Sequence, residues 1–192
     1  LPALHIGENI LEITVPIGRR TNLENFYLLG DFGVRVNGTL KTVTAPVRRL
    51  GFGDIVSQGL PFYTGNLLYK FQVQTTEPGL TIRTPRYRGG LIKVFVDGVD
   101  RGNIIYSPYI LHLPDIEAGT HEVALRLYGT RYNGFAQLHH VQGVYFYQSP
   151  NSWRSEGDLW CYEYQFKPAG ILKSPEIYNG GHFIQPNGSI RE

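Results

Sequence analysis

The chain has 192 residues, of which 18% are charged, and its formal net charge is only +2. That length suits one domain of the large β-sandwich kind, which can bury a core without disulfide or metal staples. The scattered basic residues form no concentrated positive face for phosphate backbones, and no apolar run approaches the ~20 residues that cross a bilayer, so neither nucleic acid nor membrane is expected as a partner.

A single cysteine, Cys161, rules out an internal disulfide and reads as a small buried hydrophobe within an alternating run. The first residues, Leu1 to His5, lack the basic-then-apolar pattern of a secretory signal. With no methionine anywhere, the chain is expected to be a piece or processed product of a larger parent. Localisation stays open; a soluble chain, secreted or periplasmic with its parent, is one expectation.

Aromatic residues make up 13% of the chain, beside 23 Gly and 12 Pro, and short alternating runs recur, which argues for an all-β fold with many turns and one or two short helical turns. Leu11, Ile13, Val15 and Ile17 alternate with polar residues and predict a first strand with one apolar face. The capping-box pattern from Thr21 to Glu24 predicts a helical turn near residues 23–27. Asn37-Gly38 predicts a two-residue hairpin between the runs at 32–36 and 39–44, and Asp54 a short turn ended by Gly59.

From Leu67 the pattern sharpens. Leu67, Tyr69, Phe71 and Val73 alternate with Lys70, Gln72 and Gln74, which predicts a strand with one wet face. Leu91 to Val96 is apolar on both sides and predicts a central strand, turned back at Asp97-Gly98 into residues 99–105. Further strands are expected at 109–113, 123–127, 141–147 and 159–166, giving about a dozen in two antiparallel sheets packed face to face. The whole of 1–192 reads as one domain with its core at about 10–173, and residues 178–192 read as an irregular C-terminal tail.

Chemistry is hard to find along this chain. A glycosidase needs two facing carboxylates, but Glu12, Glu122 and Glu163 fall on solvent phases of strands, while Asp54, Asp97, Asp115 and Asp158 fall in turns where Asp bonds its local backbone. No Gly-x-Ser-x-Gly elbow exists. His139 and His140 are adjacent, so strand geometry would send them to opposite faces, and no His-x-His or Cys-x-x-Cys spacing suggests zinc. Arg83, Arg86, Tyr87 and Arg88 form a small basic-aromatic patch that reads as a solvated loop.

Three phrases stand in order: Gly59-Leu-Pro-Phe-Tyr-Thr-Gly65 leading into Tyr69 and Phe71, Val94-Phe-Val-Asp-Gly98, and Gly119-Thr-His-Glu-Val-Ala-Leu-Arg-Leu127. Together, over residues 54–171, they resemble the galactose-binding-like β-sandwich, a sugar-binding jelly roll that accompanies bacterial glycoside hydrolases of family-two and α-L-rhamnosidase type. The resemblance implies an accessory domain without catalysis of its own, whose partners are carbohydrate and the parent's catalytic domain. It implies no cofactor, although many such domains carry a structural calcium ion. Asp97, Asp100 and Asn103 are the calcium candidates, against a plain hairpin with solvated acids.

A sugar offers an apolar ring face edged by hydroxyls, so its site needs an aromatic platform beside polar side chains. Two loops have that mixture. The first, residues 128–140, supplies Arg131, Tyr132, Asn133 and His139; in related modules the same position ends in Gly-Pro-x-His, which Ala136-Gln137 replaces here. The second, residues 149–160, supplies Trp153, with no strand phase to bury it, whereas Trp160 opens an alternating run and reads as core. The resulting expectation is a carbohydrate-binding accessory module that is not itself an enzyme. The rival readings are a structural domain packed on the parent's catalytic domain and, less favoured, a self-sufficient hydrolase or lyase.

Overall fold

A computed structural model describes residues 5–21, 26–141 and 156–184 of the chain. Among them are twelve strands and one short helix. The strands β1 (Gly33–Asn37) and β2 (Leu40–Thr44) form a hairpin. β3 (Leu67–Thr75), β4 (Leu80–Arg83), β5 (Tyr87–Arg88), β6 (Ile92–Val96), β7 (Val99–Ile104), β8 (Ile110–Leu113) and β9 (Gly119–Leu127) follow, then α1 (Tyr132–Phe135). The last three strands are β10 (Gly170–Ile171), β11 (Glu176–Asn179) and β12 (His182–Ile184).

Two antiparallel four-stranded sheets dominate, in the orders β3-β9-β6-β7 and β12-β11-β4-β8. They make a sandwich because one residue in two on each strand is apolar and must leave water. Tyr69, Phe71 and Val73 of β3, Val94 and Val96 of β6, and Val123, Leu125 and Leu127 of β9 are buried with Leu80 and Ile82 of β4 and Ile177 of β11. Full burial of each aliphatic side chain contributes about 1.5–3 kcal/mol. Tyr69 places its ring in this core and accepts a hydrogen bond from the Ile171 amide at 3.2 Å, while burial raises its pKa.

The central position expected for Ile92–Val96 is the one observed, between β9 and β7. Asp97-Gly98 closes the β6–β7 hairpin with positive φ at both residues, 52° and 78°, the mirror-image turn that matches strand twist. The β1–β2 hairpin is one residue out of the expected register. Asn37 pairs with Leu40, so the loop is Gly38-Thr39, and glycine alone takes the positive φ of 60°.

Other expectations need larger correction. Residues 11–17 form no strand, and Ile10, Leu11 and Ile17 are 77–90% exposed, because alternation alone does not supply a neighbouring edge to pair with. Residues 161–166 also form no strand; a single bridge joins Trp160 to His140. The described part of the tail is regular: β11 and β12 turn about Gly180-Gly181 and extend the second sheet, so Tyr178 and Asn179 are strand residues. Tyr87–Arg88 is strand rather than loop, paired with Gly170–Ile171. The helical turn expected at 23–27 and the strand at 141–147 fall largely outside the described residues; the helical turn that is present lies at α1.

Candidate functional site: an aromatic strip beside the β9 loop

The loop after β9 is held against the Gly59–Gly65 phrase by close backbone approach. Gly129 abuts the Gly65 carbonyl and Gly134 abuts Thr64, leaving no room for a Cβ at either position. Asn66 Oδ1 accepts from the Gly129 amide at 3.3 Å. This seats α1 over the strip of chain at residues 160–167.

Asn133 is 5% exposed, and its amide group clamps that strip. Its Nδ2 donates to the Lys167 carbonyl at 2.7 Å, and its Oδ1 accepts from the Lys167 amide at 3.0 Å. Lys167 in turn places its ammonium 3.8 Å from the centre of the Tyr132 ring. Arg131 is exposed and directly precedes α1. Of the four expected loop residues, Asn133 is thus committed to architecture, while Arg131 and Tyr132 remain at the surface. Trp153 lies outside the described residues.

His139 joins a cluster that the sequence did not suggest. Its Nδ1 lies 3.0 Å from the Cys161 carbonyl and must donate there, which leaves Nε2 as the acceptor of the neutral ring. Its ring centre stands 4.5 Å from Tyr164 and 5.7 Å from Trp160, and Trp160 meets Tyr162 edge-on at 4.4 Å. Phe62, from the first phrase, packs edge-on against Tyr164 and Phe166 at 5.2 and 5.0 Å. Lys41 of β2 reaches the Tyr164 hydroxyl at 3.3 Å and lies 5.1 Å from its ring centre.

Tyr162 is 71% exposed and Trp160 and Tyr164 are half-buried, so these rings form an open strip rather than a core. Alternation concealed it, since Trp160, Tyr162, Tyr164 and Phe166 have strand spacing. The usable signal was their neighbours: Glu163, Gln165 and Lys167 supply no aliphatic side chain with which to make a second sheet face.

Both acids among the calcium candidates are engaged by partners within the protein. Asp97 Oδ2 lies 2.7 Å from His121 Nδ1 and its Oδ1 accepts from the Glu122 amide at 2.9 Å; Asp100 is bridged to Lys93 at 2.7 Å and accepts from the Gly102 amide. The hydrogen bond to His121 is the largest cause holding the Asp97 carboxyl below its usual range, and the same contact raises His121. Among the described residues no group of three or more His, Cys, Asp or Glu gathers in metal-binding geometry. Among them, too, no helix is long and apolar enough to cross a membrane.

No family model matches this chain, and no curated protein matches it. Among solved structures it is similar to a rhamnosidase from Novosphingobium sp. PP1Y, at 19% identity and a TM-score of 0.44, covering 85% of this chain and 16% of that one. It is also similar to a GH2 β-galacturonidase from Eisenbergiella tayi bound to galacturonate, at 22% identity and a TM-score of 0.32, covering 50% of this chain and 17% of that one. The matched part of the chain therefore spans about a sixth of the length of either enzyme.

Proposed function

We propose that this chain is a non-catalytic carbohydrate-binding module of a glycoside hydrolase, holding glycan on exposed rings while the chemistry occurs elsewhere in the parent. The observation that carries the sugar-binding part is the strip of Trp160, Tyr162, Tyr164 and His139, which offers ring faces beside the Nε2 acceptor of His139. Such rings cover the apolar face of a pyranose while polar edges meet its hydroxyls. The glycoside-hydrolase context rests on the order and spacing of the three phrases. Arg131 and Tyr132 extend the proposed contact surface.

Calorimetry of the chain against plant and host oligosaccharides tests this. Binding is expected, with Tyr162→Ala and Trp160→Ala each weakening it about tenfold, the loss of one stacking contact. Absence of heat with every sugar would refute it.

One observation favours a second reading, in which the domain packs against its parent's catalytic domain. Ile10, Leu11, Ile13, Val15 and Ile17 are exposed along one short segment, a concentration of apolar side chains that commonly marks a contact surface.

A further inference from the structure

The outer face of the second sheet carries a groove of about 380 Å³. Its floor is set by strand register. Tyr178 of β11 pairs with Thr81 of β4 and with Phe183 of β12, and Thr81 pairs with His112 of β8, so these four residues form one row across the sheet. Their neighbours along the strands, Leu80, Ile82, Leu113 and Ile177, point inward and are buried. The row must therefore face out. Pro78 and Pro114 and the Gly180-Gly181 turn form the rim.

The chemistry of this lining is specific. Its lining residues include no carboxylate, lysine or arginine, and the carboxylates nearest to it, Glu77 against Gly180 and Glu176 on the Tyr178 hydroxyl, disfavour an anionic ligand. Thr81 Oγ1 and His112 Nδ1 lie 3.0 Å apart and form a polar pair at one side of the floor. The Tyr178 ring supplies an apolar surface, and it is held in place. Its hydroxyl donates to Glu176 at 3.2 Å, Phe183 abuts it edge-on at 5.9 Å, and Glu176 is itself fixed by Arg83 at 3.0 Å and Lys173 at 3.1 Å. A platform locked by such supporting contacts loses little freedom when a ligand covers it.

The rim is held with equal firmness. Asn179 is 4% exposed; its Oδ1 accepts from the Thr76 and Glu77 amides and its Nδ2 donates to the Glu77 and Gly79 carbonyls. The turn carrying Pro78 is thereby bolted to β11. The volume lies at the small end of ligand sites, which run from about 300 to 1,000 Å³.

We infer that the groove over Tyr178, Thr81 and His112 is a second saccharide site, for a neutral mono- or disaccharide, separate from the Trp160–Tyr162 strip. The sugar's ring face lies on Tyr178 and its hydroxyls meet the Thr81–His112 pair. The inference rests on the carbohydrate-binding reading, because the same lining would have no reason to favour a sugar in a purely structural domain.

Amide-resolved NMR titration of the chain with cellobiose, xylobiose and lactose tests it. The expected result is shift changes at residues 78–81, 112–114 and 178–181. Affinity measured from those shifts should fall about tenfold in Tyr178→Ala. Thr81→Tyr, at an outward strand position where an aromatic residue is well accommodated, should fill the groove and abolish the response with the fold retained. Tyr162→Ala should leave these shifts intact. A sugar that perturbs only residues around the strip overturns the groove and leaves the module reading standing. Silence everywhere, with all three sugars and in calorimetry with the wider panel, overturns both.

Discussion

Asn133 lies in the loop that the sequence marks for sugar contact, yet both polar atoms of its amide are bonded to the backbone of Lys167. Replacing it with Ala would leave a buried N–H and C=O without partners, at about 1–3 kcal/mol. Asn133→Ala is accordingly expected to lower the unfolding free energy by that amount, read as a lower urea midpoint at unchanged m-value. A sugar affinity lost at a temperature where the variant is fully folded would contradict the architectural role. His121 gives a second prediction at this scale. Its pKa is raised above the ordinary 6.5 chiefly by Asp97, with the Glu117 carbonyl adding to it and burial opposing it, while that of Asp97 is lowered from 3.8. A raised folded value means stabilisation that is complete below 6.5 and lost as pH rises through the folded value; a lowered one means stabilisation complete above 3.8 and lost as pH falls. The pair thus stabilises the β6–β9 corner most between those limits. Unfolding midpoints measured from pH 5 to 9 should decline in the wild type relative to His121→Gln, and parallel curves would show the contact to be inert.

At the scale of elements, what alternation predicts depends on whether a partner edge exists. Residues 67–75 and 119–127 alternate, find each other, and become nine-residue strands in register from Leu67↔Leu127 to Thr75↔Gly119. Residues 11–17 alternate equally well and stay unpaired in solvent, and residues 160–166 alternate and become a strip of rings. Pattern reports side-chain phase; pairing is set by the rest of the chain. The same limit hid the C-terminal hairpin, whose Gly-Asn-Pro composition reads as coil although Gly180-Gly181 provides a turn and Ile177 an inward anchor. Of the proposed site, the sequence offers the loop residues Tyr132 and His139 as candidates but hides the rings that His139 meets 21 to 25 residues later, because that meeting is tertiary. Deleting residues 1–17 is expected to leave the melting temperature of the isolated chain within about 2 °C, since the described part of this segment buries nothing in the sandwich. A drop of about 5 °C or more would show that the segment packs on its own domain and would remove the motive for assigning it to an interdomain contact.

For the whole molecule, the two sheets divide the work. The β3-β9-β6-β7 sheet supplies most of the buried side chains, while the opposite sheet turns a row of polar and aromatic residues outward and carries the groove. The strip at 160–167 lies beyond both, tied to the sandwich through Asn133 and Phe62. Asn179 has one further consequence, which concerns the order of assembly. It bonds to residues 76, 77 and 79 across about a hundred intervening residues, so closing that contact costs more chain entropy than forming any hairpin in the molecule. On a ribosome the Pro78 turn emerges long before the side chain that fixes it. The groove is therefore finished only when the C-terminal hairpin arrives, after the β6–β7 and β3–β9 pairings already have all their residues in hand.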